Sequence, residues 1–210
     1  MGEGVATDEV ATGPGRAVPV ARTRVERRRA ATREDILRAA TELARQHGIA
    51  ELSLRDLASA VGMKAPSLYS YFGSKAAIFD ALFAAGYREF DARLAALAAT
   101  GSVRDDLATV LRAYVGFCTE DLPRYQLMFT RVLPGWEPSD EAYAVSRASY
   151  DRFVARFAEL GITDPAALDL WTAISAGFAA QQVANDPDGD RWLRLVDDAV
   201  ELFLAYQEVT

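Results

Sequence analysis

The chain has 210 residues, half of them apolar and a quarter charged, and its formal net charge is −7. These values are ordinary for a globular protein, and the length suffices for one large domain or two small ones. No apolar run approaches the roughly 20 residues that span a bilayer, and residues 1–21 lack the apolar core of a secretory signal. The single cysteine, Cys118, excludes an internal disulfide framework. We therefore expect a cytoplasmic protein.

Basic side chains are concentrated in the first third of the chain. Residues 16–75 contain 12 basic and 6 acidic side chains, whereas residues 76–210 contain 11 basic and 21 acidic ones. This asymmetry indicates that only the first third faces a polyanion. The composition of residues 1–21 predicts a disordered tail, followed by a basic arm over residues 22–29. The arm would either place Arg27 to Arg29 in a minor groove of DNA or form a solvated charge run, and the sequence leaves both interpretations open.

Apolar residues recur at helical spacing almost without interruption after the basic arm, and no run alternates as a strand would. Thr32, Ser53, Ser74 and Ser102 each stand where a helix N-cap is expected. Glycine and proline mark the breaks between periodic segments. The pattern predicts nine helices over residues 33–47, 54–61, 65–72, 75–97, 102–120, 123–132, 140–160, 164–185 and 190–208.

The second and third predicted helices meet at Gly62, which suits a tight turn between them. On the third helix Leu68 and Phe72 are four residues apart and supply an apolar underside. The remaining face carries hydroxyl groups and Lys64 but no carboxylate, as a helix that enters a phosphate-lined groove requires. The pattern therefore predicts a helix-turn-helix whose second helix lies in the major groove.

The same stretch resembles the DNA-binding domain of the TetR family of transcriptional regulators. The resemblance covers residues 31–83 and rests on Ile36-Leu37-x-x-Ala40, Leu57-Ala58-x-x-Val61-Gly62-Met63 and Ser67-Leu68-Tyr69-x-Tyr71-Phe72-x-Ser74-Lys75. It implies that Tyr69 and Lys75 contact phosphates and that Lys64, Ala65 and Ser67 approach base edges. The residues predicted to contact DNA are Arg55, Lys64, Ala65, Ser67, Tyr69, Ser70, Tyr71 and Lys75.

Several of these positions keep a second interpretation. Tyr71 stands where the family often has histidine, and it would either face DNA or pack in the domain core. Arg55 would lie near the backbone of DNA or be an ordinary solvated helix residue. Pro66 lies between Ala65 and Ser67, where the family often has a small residue directly before Thr or Ser, so the base preference is open.

The resemblance implies an all-α fold with an N-terminal three-helix DNA-binding domain and a C-terminal helical bundle. The predicted division is a tail and arm over 1–30, a DNA-binding domain over 31–91 with its helix-turn-helix at 54–73, and an effector-binding and dimerisation domain over 92–210. Family members typically enclose an effector pocket in the second domain. Bulky aromatic residues are the candidates for its lining, although each would equally serve as a core residue: Phe83, Tyr87, Tyr114, Phe117, Tyr125, Phe129, Trp136, Tyr143, Phe153, Trp171 and Phe178.

The last two predicted helices carry extra small or apolar faces beyond the stripe that a helix needs for its own core. Such faces suit close packing against a second copy of the chain. The residues predicted at this dimer interface are Ala176, Ala180, Val183, Trp192, Val196, Ala199 and Phe203. Together with the resemblance, they predict a homodimer.

No catalytic constellation is present in the sequence. His47 is the only histidine, which leaves little for a metal cluster or a histidine-dependent triad. Cys118 lies among apolar neighbours and is typical of an inert core thiol. We therefore expect no enzyme activity, no metal and no cofactor.

The sequence predicts a repressor that binds palindromic operator DNA as a homodimer and is released by an unknown small apolar effector, with no membrane partner. The fourth helix would couple the two sites. Two alternatives stay open, namely a sensor that kept the helix-turn-helix shape but lost DNA binding, and an effector-binding enzyme of helical fold.

Overall fold

The computed structural model describes residues 23–209, with side chains through Gln207. Over this range every regular element is helical, which confirms the predicted all-α class. The nine α-helices are α1 (Arg24–His47), α2 (Leu54–Ala60), α3 (Ala65–Tyr69), α4 (Lys75–Ala95), α5 (Val103–Glu120), α6 (Leu122–Phe129), α7 (Asp140–Glu159), α8 (Pro165–Asn185) and α9 (Val196–Val209), with a 3-10 turn at Leu193–Leu195. The predicted disordered tail over residues 1–21 lies outside the described residues.

Serine side chains begin three of these helices as predicted. The hydroxyl oxygens of Ser53, Ser74 and Ser102 accept hydrogen bonds from backbone N–H groups in the first turns of α2, α4 and α5. Such caps satisfy donors that have no partner inside the helix. The three predicted caps are therefore confirmed.

The start of α1 differs from the prediction. The helix begins at Arg24 and not near Arg33, because Thr23 and Glu26 form a capping box in which each side chain accepts from the other's backbone N–H. Thr32, the predicted cap, lies inside the helix and donates its hydroxyl to the carbonyl of Arg28. The predicted basic arm is thus helical from Arg24 onward.

The connection between α8 and α9 is longer than predicted, so the last helix begins later in the chain. The buried side chain of Gln182 donates to the carbonyls of Asp186 and Gly189 and accepts from the backbone N–H of Trp192 at 3.1 Å. These bonds hold residues 186–192 in a compact turn, so α9 begins at Val196 and not at residue 190. The prediction missed this because a glutamine inside a helix gives no local sign of what it binds.

The chain forms two hydrophobic cores. One core joins α1, α2, α3 and the first half of α4 around Ile36, Leu57 and Ile78. The other joins α5, α7, α8 and α9 around Leu111, Phe157 and Phe203. The 21-residue helix α4 contributes buried residues to the first core and packs along α5 and α7, which belong to the second. None of the helices in residues 23–209 is long and apolar enough to cross a membrane.

Candidate nucleic-acid interface and ligand cavity

A tight turn places α3 across the end of α2. Gly62 has a φ of +65°, a conformation that side chains disfavour, and the next N–H, that of Met63, donates to the carbonyl of Ala58 at 2.8 Å. Leu68 and Phe72 are 1% and 2% exposed and fix the underside of α3 to the N-terminal core. The predicted apolar underside of this helix is therefore confirmed.

The opposite side of α3 faces away from the protein. It carries the side chains of Lys64, Ala65, Ser67, Tyr69 and Ser70, all of which are exposed. Tyr69 is 52% exposed although it is a large aromatic residue, and the packing of the chain gives no reason for this exposure. The face is polar and free of carboxylates, as predicted. Arg55 on α2 is exposed as well.

Tyr71 and Lys75 occupy intermediate positions at the junction of α3 and α4. Tyr71 is half-buried, with the guanidinium of Arg29 5.3 Å from the centre of its ring. Lys75 is the first residue of α4, and its Nζ donates to the carbonyl of Ala50 at 3.1 Å while lying 5.3 Å from the ring of Phe79. Both side chains lie beside the exposed face of α3 and not at its centre.

Two arginines of α1 reach the C-terminal end of α3. The Nη2 of Arg29 donates to the carbonyl of Ser70 at 2.5 Å, and the Nη1 of Arg33 donates to the carbonyl of Tyr71. The sequence predicted that Arg29 belongs either to an arm in a minor groove or to a solvated charge run, and it gave no role to Arg33. The spacing of Arg29 and Arg33 could have indicated this contact, since residues four apart lie on the same face of a helix, here the face of α1 that also carries the buried Ile36.

Two adjoining cavities lie among α4, α5, α6, α7 and α8. The first has a volume of about 910 Å³ and the second, beneath the loop that connects α6 to α7, about 1060 Å³. Volumes of this order are typical of small-molecule sites. The two cavities share the lining residues Tyr87, Phe129, Tyr143 and Ser146.

Most residues predicted to line an effector pocket lie at these cavities. Tyr87, Tyr114, Phe129, Tyr143, Phe153 and Trp171 line the first, and Phe83 and Trp136 line the second. Three predicted residues, Phe117, Tyr125 and Phe178, line neither. Phe117 is fully buried, and the guanidinium of Arg124 lies 3.7 Å from the centre of the Phe117 ring. The Phe117 side chain therefore packs beneath Arg124 and does not reach the cavity. Sequence reasoning missed the cavity residues Phe90, Leu94 and Val110.

The first cavity is lined by buried phenols and by the charged side chains of Arg147 and Asp151. Burial raises the pKa of the Tyr87 phenol to about 12 and raises that of Tyr114 further. The Tyr87 hydroxyl donates a hydrogen bond to the carbonyl of Met128 at 3.4 Å. The lining therefore offers apolar contacts, protonated phenols and two side chains of opposite charge.

The chain shows no arrangement for catalysis among the described residues. Burial raises the pKa of the Cys118 thiol to about 12, so the reactive thiolate is not formed near neutral pH. No group of three or more histidine, cysteine or acidic side chains in residues 23–209 is arranged to hold a metal ion.

The residues predicted at a dimer interface fall into two groups. Ala176 and Ala180 on α8 are exposed, and Val183, Trp192 and Ala199 are partly so. Val196 and Phe203, in contrast, are 0% and 1% exposed within the single chain. These two residues pack in the C-terminal core and offer no surface to a partner, so their assignment to an interface is wrong.

A family model described as "Bacterial regulatory proteins, tetR family" matches residues 36–82, the span of the helix-turn-helix and its supports. These residues form a DNA-binding domain of the TetR type, the DNA-binding unit of transcriptional regulators.

Similarity to TetR-family proteins extends beyond this domain. The chain is 28% identical over 187 residues to MftR, a Mycobacterium tuberculosis protein named for transcriptional regulation of mycofactocin biosynthesis, covering 86% of this chain and 88% of that protein. A TetR-family regulator from Streptomyces coelicolor has a TM-score of 0.66 at 23% identity, covering 86% of this chain and 82% of that one. A TetR variant from Acinetobacter baumannii, crystallised with minocycline, has a TM-score of 0.56 at 21% identity, covering 83% and 95%.

Proposed function

We propose that this chain is a TetR-family repressor that binds palindromic operator DNA as a homodimer and is released by a small apolar molecule. The observation that carries the proposal is the course of α4. Its first residue, Lys75, follows the recognition helix α3 after a short turn, and its later residues Tyr87, Phe90 and Leu94 line the first cavity. One rigid helix thus connects the DNA-reading face to the ligand cavity.

The exposed face of α3 is the proposed reading surface. Lys64, Ala65 and Ser67 at its N-terminal end would approach base edges in the major groove. Tyr69 and Lys75 would contact phosphates, and Lys75 would exchange its bond to the carbonyl of Ala50 for a charged one. Arg55, Ser70 and Tyr71 would complete the contacts at the sides of the groove.

The two cavities are the proposed effector site. The walls of the first cavity are mostly aromatic and aliphatic, and burial keeps the phenols of Tyr87 and Tyr114 protonated, which favours an apolar molecule that carries hydrogen-bonding groups. The second cavity is more polar and includes Arg131 and Glu137 in its lining. The Acinetobacter protein of the same fold was crystallised with minocycline, which shows that this fold can hold a small molecule.

The exposed faces of α8 and α9 are the proposed dimer interface. Ala176 and Ala180 allow close approach of a second helix, and Leu202 on α9 is 74% exposed as a large apolar side chain. A dimer would present two recognition helices about one turn of DNA apart, which is why a palindromic site is expected. Such a regulator would act in the cytoplasm.

Release follows if the effector prefers a tilt of α4 that moves the two recognition helices out of register. The effector can shift the equilibrium only by its difference in affinity for the two states, typically about 1–3 kcal/mol. Operator affinity would then fall by roughly 5- to 150-fold at saturation.

The test combines sequence selection with a ligand screen. The full chain would be used to enrich duplexes from a random library, and the enriched duplex would then be followed by fluorescence anisotropy during a screen of small apolar molecules. We expect a palindromic sequence and at least one compound that releases it. Val110→Trp, which places an indole in the first cavity, should bind the duplex normally and lose the response, whereas Val103→Trp at an exposed site of α5 is the matched control. Equal compound sensitivity in both variants would contradict the proposed effector site.

A further inference from the structure

The first turns of α1 lie against the C-terminal end of the recognition helix α3. Arg29 and Arg33 are one helical turn apart and point toward the turn that follows α3. Arg29 donates to the carbonyl of Ser70 at 2.5 Å, and Arg33 donates to the carbonyl of Tyr71. These bonds join residues 41 and 38 positions apart in the sequence, so they connect two separate parts of the domain.

Each guanidinium also lies over an aromatic ring of the same turn. The Cζ of Arg29 is 5.3 Å from the ring centre of Tyr71, and that of Arg33 is 4.0 Å from the ring centre of Phe72. A planar guanidinium can stack on a ring and donate from its edge at the same time, which a lysine ammonium cannot do. Phe72 follows α3 and is buried in the N-terminal core, so Arg33 connects the turn after the helix to that core.

The recognition helix needs such support because it is short. It has five residues, and so short a helix is marginal without tertiary contacts. Leu68 and Phe72 hold it from below, whereas the carbonyls of Ser70 and Tyr71, in the turn that follows it, accept from the two arginines. Side chains that read base edges must be held to within about 0.5 Å by the residues behind them.

We infer that Arg29 and Arg33 are positioning residues for DNA recognition, and that the N-terminal extension of α1 is a brace which sets the orientation of α3 in the major groove. The brace rests on the proposed role of α3 as the reading helix. Because both guanidiniums are engaged by carbonyls and rings, they act on the selection among sequences and contribute little to the release of counterions from phosphates.

The salt dependence and the sequence preference of DNA binding distinguish a brace from a phosphate contact. A lost phosphate contact lowers the slope of log affinity against log salt by about 0.9 and weakens all sequences alike. A lost brace lowers the preference for the correct sequence and leaves the slope nearly unchanged. A merely structural role would lower the melting temperature and change neither DNA measurement.

The experiment uses the full chain, the duplex that the wild-type protein enriches from a random library, and a scrambled duplex of the same composition. Affinities for both are measured by anisotropy over a series of salt concentrations, together with the melting temperature. The variants are Arg29→Gln/Arg33→Gln and Arg33→Lys. The matched control is Arg38→Gln, since Arg38 is an exposed arginine of α1 that pairs with Asp35 of the same helix at 3.2 Å.

For the double variant we expect the ratio of the two affinities to fall by about tenfold or more, equivalent to about 1.4 kcal/mol, at an unchanged salt slope. Arg33→Lys should fall between it and the wild-type protein, and Arg38→Gln should match the wild type. If the double variant does not fold, Arg29→Gln alone carries the same test, because the Arg29 side chain is exposed.

Two results for the double variant would overturn the brace. One is a ratio of the two affinities within about twofold of the wild-type ratio. The other is a salt slope lower by about one unit per arginine while that ratio is retained. Either result with normal enrichment by the wild-type protein leaves the proposed function intact. Failure of the wild-type protein to enrich any sequence would instead overturn the proposed function and the brace together.

Discussion

Asp121 joins the DNA-binding part of the chain to the wall of the cavities. Its carboxylate is buried at the start of α6, where it accepts from the backbone N–H of Arg124 at 3.0 Å and so caps that helix. The Nε and Nη2 of Arg45, near the end of α1, donate to its Oδ2 at 3.0 and 2.7 Å. The far end of α6, Phe129, lines both cavities.

The cost of removing this carboxylate follows from the bonds that it makes. Loss of an N-cap costs about 1 kcal/mol, and loss of hydrogen bonds to a charged group costs about 1.5–3 kcal/mol. The lower part of that second range applies, because the Arg45 side chain is 51% exposed and can return to water. We expect Asp121→Ala to lower the free energy of unfolding by about 2–3 kcal/mol. Asp121→Asn keeps an oxygen for the cap and should cost about 1–2 kcal/mol.

Urea unfolding of the full chain measures both values, and a double-mutant cycle with Arg45→Gln isolates the pair. Arg45→Gln combined with Asp121→Asn should cost less than the sum of the single changes, because either change alone breaks the same bonds. A loss below about 1 kcal/mol for Asp121→Ala, or strictly additive costs in the cycle, would refute the reasoning.

Three further predictions test other parts of the molecule. Lys75→Ala should weaken binding to all duplexes and lower the salt slope by about one unit, and an unchanged slope would remove Lys75 from the phosphate contacts. Leu202→Asp should give monomers in sedimentation, since this side chain is 74% exposed within the single chain, whereas Val25→Asp, at an equally exposed site of α1, should not. Stability should fall as the pH rises from 9 toward 12, because burial keeps the Cys118 thiol protonated in the folded protein up to a pKa of about 12, whereas the unfolded thiol has an ordinary pKa of about 9.0. Cys118→Ala should flatten the first part of that fall, and an equally steep profile in this variant would contradict it.

The DNA-binding domain was largely predictable because its signals are local. The serine caps, the turn at Gly62 and the pair Leu68 and Phe72 are each defined by residues a few positions apart, and the structure confirms them. The start of α1 was not predictable in this way, since Thr32 with Asp35 and Thr23 with Glu26 both have the spacing of a helix cap. The choice between them depends partly on Arg29, whose hydrogen-bonding partner lies 41 residues away.

The C-terminal half was less predictable because aromatic residues at helical spacing serve a core and a cavity equally well. Phe117 and Phe129 are similar in sequence context, yet Phe117 is enclosed beneath Arg124 and Phe129 faces both cavities. Val196 and Phe203 were assigned to a dimer interface on the same ambiguous evidence. Which side of a helix meets the rest of its own chain depends on the crossing of neighbouring helices, which periodicity does not reveal.

The sequence by itself determined the helical class, most of the breaks between helices and the carboxylate-free face of α3, because caps, glycine turns and apolar spacing act over one or two turns of chain. Only the tertiary structure decided that the basic segment after Thr23 is a helix whose arginines hold the end of α3, and that the C-terminal aromatic residues divide between two cavities and a solid core. Both outcomes depend on contacts between residues tens of positions apart, and the free energy of such contacts is set by how the helices pack.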